Sequence, residues 1–146
     1  MVARPTRVLL AVLHALVAVT AGAGGGALML GGLRPDLAGP LVPPVSYLDG
    51  SLFTSYLVPG ILLLGVIGGT HIVAFVAQLR RTPHAPVWST AAAFGTLIWI
   101  FVQMIYVPFS FLQAAYFAVG IAECGLVLLT LGVLRPHGER TARRGA

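Results

Sequence analysis

Lysine is absent from this chain, and its nine basic residues are all arginine. Charge of either sign is scarce, at 9% of 146 residues with four acidic side chains, where globular proteins carry roughly 25%. A soluble domain of this size cannot cover its surface with so few charges. Composition therefore excludes a soluble enzyme, a disordered chain and a nucleic-acid-binding domain. The single Cys124 excludes an internal disulfide, a CxxC redox pair and a cysteine-based zinc site. It lies within an apolar run and reads as a small packing residue, so no metal site is expected. What remains is apolar: 58% of the residues, with a mean hydropathy of +0.93. Lipid is the solvent that suits such a chain.

A bilayer core about 30 Å thick takes roughly 20 apolar residues per helix. Four runs reach that length: Val8 to Leu33, about Tyr56 to Leu79, about Val87 to Val107, and about Leu112 to Leu134. Backbone groups in hydrocarbon must pair within their own segment, which makes these runs helices. The expected fold is all-α, an integral membrane four-helix bundle forming one transmembrane domain over residues 1–146. Pro59 suits the first turn of the second helix, and Pro83 and Pro86 bracket the start of the third. Pro108 ends the third helix, and Ser110 to Gln113 matches a capping box opening the fourth.

The arginines set an orientation. Arg4 and Arg7 precede the first run, Arg80 and Arg81 separate the second from the third, and Arg135, Arg140, Arg143 and Arg144 follow the fourth. An even number of spans puts all of these on one side, leaving only Arg34 on the other, beside Asp36 and Asp49. The positive-inside rule then places both termini in the cytoplasm and the protein in the inner (plasma) membrane as a multi-pass protein. The basic tail 135–146 is expected near anionic headgroups. A rival reading makes the N-terminus a signal peptide cleaved near Ala21-Gly22-Ala23. Against it, the apolar run continues from Ala27 to Leu33 and is long enough to span.

The loop from Arg34 to Ser55 is the long outer connection between the first and second helices, with four prolines. Such a length is uncommon unless the loop is functional or disordered. Val45, Leu48, Leu52 and Phe53 match a short interfacial helix, although a Pro-rich connector accounts for the same residues.

Polar residues inside the runs are the candidate site. Glu123 lies twelve residues before Arg135, about 18 Å deep at 1.5 Å per residue and close to the midplane. A charge there is expensive, so the residue needs a partner or a function. His14 and His71 come out shallower, about 10 Å and 13 Å deep, which makes His71 the natural partner of Glu123. A backbone carbonyl or a threonine is the alternative partner for each histidine.

Helical spacing gives each run one small or polar stripe. The first run has Arg7, Ala11, His14, Ala18, Ala21 and Gly25. The second has Leu64, Gly68, His71, Phe75 and Gln78. The third has Ser89, Ala92, Thr96, Trp99, Gln103 and Tyr106, and the fourth has Tyr116, Gly120, Glu123, Val127 and Thr130. Facing inward, these stripes would enclose a polar seam, with Glu123, His71, His14, Gln103, Tyr106 and Trp99 as ligand or proton-site candidates. The pairs Gly22/Gly26 and Gly65/Gly69, and the series Ala114, Ala118 and Ala122, have the small-xxx-small spacing of close helix contacts.

The stretch Asp49-Gly-Ser-Leu-Phe-Thr-Ser-Tyr-Leu-Val-Pro-Gly60 with Gly68-Gly69, and Trp99-Ile-Phe-Val-Gln103 with Leu112-Gln113, Tyr116-Phe117 and Gly120, carries a resemblance. It resembles an uncharacterised, widespread family of small four-helix bacterial integral membrane proteins of actinobacterial type. The resemblance implies the four-helix fold and no activity. Three kinds of function fit the residues. One is a non-catalytic accessory subunit or lipophilic-ligand-binding bundle, with membrane lipids and a larger complex or a second copy as partners. Another is a small proton-coupled transporter using Glu123. Four helices with one membrane glutamate are similar to the small multidrug exporters, but theirs lies in the first helix and their charge bias is weak. The third is a membrane enzyme, either lipid-modifying with Glu123 and His71 as acid and base or haem-bearing through His14 and His71. No cofactor is expected on the first reading.

Overall fold

The computed structural model describes residues 4–133. Four helices within it are long and apolar enough to cross a membrane. Helix α1 runs over Arg4–Leu33, and the short α2 over Pro35–Leu41. A single turn of 3₁₀ helix follows at Val45–Leu48. Helix α3 covers Leu57–Leu79, α4 Ala85–Tyr106 and α5 Phe111–Thr130. Helix α1 packs along α3, α3 against α4, α4 against α5, and α5 returns to α1. Up-and-down neighbours with short links at residues 80–84 and 107–110 close the bundle around one axis. Large apolar side chains such as Val19, Ile72, Val87, Ile98, Phe101 and Ile105 are exposed on its outside, a surface compatible with lipid.

The helix ends follow local chemistry. Ser110 is a full capping box: its Oγ accepts from Gln113 N–H, and its own N–H donates to Gln113 Oε1 at 2.8 Å. Pro86 sits in the first turn of α4, where its missing N–H costs nothing. Helix α5 ends earlier than the apolar run. Gly132 takes a left-handed φ of 72°, and Val133 N–H turns back to Leu128 O, the Schellman stop that glycine favours. The expected end at Leu134 and the tail 135–146 lie outside the described residues. Helix α3 stops the same way, Thr82 N–H bonding Ala77 O, but there Arg81 occupies the left-handed position with φ 54°.

The long connection between α1 and α3 folds back over one end of the bundle. Tyr56, almost fully buried, donates its hydroxyl to Pro44 O at 3.1 Å. The expected interfacial helix is only the Val45–Leu48 turn. Leu48 is buried, while Leu52 is 98% exposed and outside it.

Glycine contacts depart from the expected register. Gly26, Gly65 and Gly69 have open space where a Cβ would stand. The close approach lies instead between Gly25 and Gly60, where a Cβ on either glycine would come within 2.8 Å of the other's carbonyl oxygen. A six-residue π-helical stretch, Leu63–Gly68, follows this contact on α3. Within it Ile67 and Gly68 are buried, while Leu64 lies against Gly25 of α1 yet is 41% exposed. Ala118 and Ala122 are also exposed rather than at a helix contact; on α5 that place belongs to Gly120, set against Leu97.

Candidate functional site

Three helices bring three polar side chains to one point. His14 from α1, His71 from α3 and Glu123 from α5 are each 0% exposed. One nitrogen from each histidine and a carboxylate oxygen all lie within 4.8 Å of one another. His14 Nδ1 is 2.9 Å from Glu123 Oε1, and His71 Nε2 is 3.4 Å from Oε2. One carboxylate oxygen thus lies beside each ring, the contact to His71 having the geometry of a hydrogen bond. The rings themselves meet edge to face, with centroids 5.5 Å apart.

The surroundings hold these rings in place. His71 Nδ1 donates to Ile67 O at 2.7 Å, one turn back on α3. That carbonyl lies within the π-helical stretch. Since a carbonyl only accepts, the bond fixes the hydrogen on Nδ1. Thr96 Oγ1 lies 3.3 Å from His71 Nε2. On the other side His14 Nε2 lies 2.9 Å from Ser89 Oγ, which accepts from Gln78 Nε2 at 2.9 Å. Gln78, Ser89 and Thr96 are all buried. A polar column therefore runs through the bundle: Thr96, His71, Glu123, His14, Ser89 and Gln78.

Pairing of His71 with Glu123 agrees with the sequence expectation, and the carbonyl named as its alternative also bonds the same ring. His14 was expected about 8 Å shallower than Glu123, yet it makes the shorter contact. The depth of Glu123 was measured from Arg135, whereas α5 ends at Thr130. Counted from the helix ends, Glu123 lies seven residues in and His14 ten, about 10 and 15 Å, which brings the two closer in depth than the arginine count did. Glu123 thus sits toward the arginine-flanked end of its helix rather than at its middle.

Above this cluster lies a cavity of about 430 Å³, walled by α1, α3, α4 and α5 and roofed in part by Pro43 and Tyr47 of the long connection. Its walls are mainly apolar, including Val17, Leu63, Ile67, Ile100 and Leu112. Thr96 lies in its lining, so the cavity reaches the polar column. Trp99 and Gln103 line it as well. Tyr106 does not; it borders a shallower groove beside Tyr47 and Phe109. Gln113 is the polar group the sequence reading left in a capping role alone. Its Oε1 is held by the Ser110 backbone, while Nε2 is buried without a partner and Gln113 lines the cavity. The signal was present in the capping box: binding one end of the amide leaves the other free.

Chemically, the lower cluster is a set of two imidazoles and a carboxylate, and the upper cavity is a mainly apolar chamber with the buried, unpartnered amide nitrogen of Gln113 in its lining. A haem between His14 and His71 would have to separate rings that already touch. Comparison with protein-family models, curated proteins and solved structures gave no match to this chain.

Proposed function

We propose that this protein binds a lipophilic molecule carrying a hydrogen-bond acceptor oxygen in the cavity between its four helices. The single observation that carries the reading is Gln113 Nε2, a buried donor without a partner among apolar walls. A buried unpaired donor costs about 1–3 kcal/mol, and an incoming carbonyl or hydroxyl oxygen removes that cost. The cavity volume of about 430 Å³ lies within the usual range for small-molecule sites, and an apolar pocket with few oriented polar groups is their usual form.

The arginine asymmetry supports a multi-pass arrangement with both termini in the cytoplasm. The cavity then opens at the outer leaflet, beneath the long connection. Cysteine labelling at Asp49 and at Arg140 in whole cells tests the orientation, and labelling from the same side overturns it.

Ligand binding is tested with a bromine-bearing twelve-carbon alcohol as quencher of Trp99, in a Trp88→Phe background where Trp99 is the sole emitter. The expected result is saturable quenching. Gln113→Leu should weaken it about tenfold, the worth of one hydrogen bond of about 1.4 kcal/mol. Thr20→Phe, which fills the cavity, should abolish it. Quenching that rises linearly with probe, or that both variants leave unchanged, overturns the reading.

A further inference from the structure

We propose that His14, His71 and Glu123 form a binding site for a first-row divalent transition metal ion. Its three protein ligands lie outside the lining of the lipophilic cavity.

The first ground is electronic. The Ile67 carbonyl holds the hydrogen of His71 on Nδ1, so a neutral His71 turns a lone pair on Nε2 toward Glu123 Oε2, 3.4 Å away. Ser89 Oγ has two lone pairs, enough to accept from both Gln78 and His14 Nε2–H. In that arrangement His14 also presents a lone pair, from Nδ1. Two imidazole nitrogens and a carboxylate then converge, with the Thr96 hydroxyl the one donor among the described residues that reaches them, at 3.3 Å from His71 Nε2, a centre that attracts a cation.

The second ground is geometric. His14 Nδ1 and Glu123 Oε1 are 2.9 Å apart, yet each is a buried atom without a hydrogen-bond partner. They lie close without pointing at each other. Ligand atoms about 2.1 Å from one ion sit about 2.9 Å apart in cis octahedral positions and about 3.4 Å apart in tetrahedral ones. The 2.9 and 3.4 Å contacts fall on different carboxylate oxygens, and one ligand atom from each residue lies within 4.8 Å of the others, so a shared ion draws the three groups inward by less than about 1 Å.

The third ground is the surrounding layer. Metal-bound histidines engage their far nitrogen with a carbonyl or other acceptor, which fixes the ring. Here both far nitrogens are engaged, His71 by Ile67 O and His14 by Ser89 Oγ. Imidazole with carboxylate selects ions of the zinc and iron kind. Three protein ligands leave a position open, and Thr96 marks the side on which it faces the cavity. A dication with one carboxylate keeps a net positive charge, so an anionic or neutral oxygen from that side completes the set.

The test uses Co²⁺ alone as probe, on full-length protein in mild detergent, stripped with a chelator. His84 and His137 are replaced by Asn to remove the other imidazoles. The expected result is one Co²⁺ per chain with a ligand-field absorption spectrum and a raised thermal midpoint. His14→Gln, His71→Gln and Glu123→Gln should each lower the affinity at least tenfold. Ser89→Ala, which touches no ion, should lower it about ten- to a hundredfold. Gln113→Leu should leave it unchanged, which separates this site from the cavity reading. Should a histidine variant fail to fold, X-ray absorption on the parent decides alone, since two imidazole scatterers per Co²⁺ are expected. Absence of imidazole scattering, no stoichiometric Co²⁺ in folded protein, or equal affinity in Glu123→Gln overturns the site.

Discussion

Glu123 holds together residues from helices far apart in sequence, so its substitutions should separate shape from charge. Glu123→Gln keeps the size and one acceptor oxygen. Glu123→Leu leaves two buried imidazoles facing hydrocarbon; removing one member of such a buried pair costs about 3–5 kcal/mol. Thermal unfolding should therefore rank wild type above Gln, and Gln well above Leu. A Leu variant as stable as wild type would remove Glu123 from the structural centre. The sequence made Glu123 and His71 legible because an ionisable residue inside an apolar run has no innocuous explanation. It hid His14 as a partner because depth was counted from flanking arginines, and those do not mark helix ends. At the surface, Arg34 grips Asp36 through two hydrogen bonds of 2.9 and 2.8 Å and holds its carboxyl below the usual value. A depressed folded value means that any stabilisation is present above the unfolded pKa of about 3.9 and is lost as pH falls through the folded one. The pair is fully exposed, so the effect should be small and fade with salt. NMR titration of Asp36 should show its midpoint move up in Arg34→Gln.

Helix α3 shows most clearly what periodicity can and cannot reveal. Its existence and limits were readable from length and hydropathy. Its inward face was readable at Gly68, His71 and Gln78, which are buried, and only in part at Leu64, which meets Gly25 of α1 yet stays 41% exposed. A wider turn changes the angle per residue and leaves no mark in an apolar sequence. The close contact with α1 falls at Gly25 and Gly60 rather than at the expected glycine pairs. Gly25→Ala should consequently cost about 1–3 kcal/mol as α1 and α3 are forced apart, because its Cβ would meet backbone atoms of Gly60 and Leu64 at 2.8 Å. Gly26→Ala, with nothing within 4 Å, should be neutral or slightly stabilising, since alanine is the better helix former. Denaturation of the two variants side by side checks the register; equal effects would refute the observed packing.

For the molecule as a whole, the number and order of the long helices followed from composition, while the site between them did not. Each stripe was visible on its own helix, but the level at which four stripes meet depends on where each helix starts and stops. Helix α1 has 30 residues and α5 has 20, so at 1.5 Å per residue they are about 45 Å and 30 Å long. One bilayer cannot match both when both stand upright. A helix too long for its bilayer tilts, and the tilt depends on hydrocarbon thickness. Since α1 contributes Val17, Thr20, Ala21 and Gly24 to the cavity wall, changing its lean changes the cavity's width. Reconstitution in vesicles of graded acyl-chain length should therefore shift the affinity for the bromoalcohol probe steadily with thickness, while affinity in Thr20→Phe stays negligible throughout. The long first helix would then make this binding site responsive to the thickness of the membrane that surrounds it.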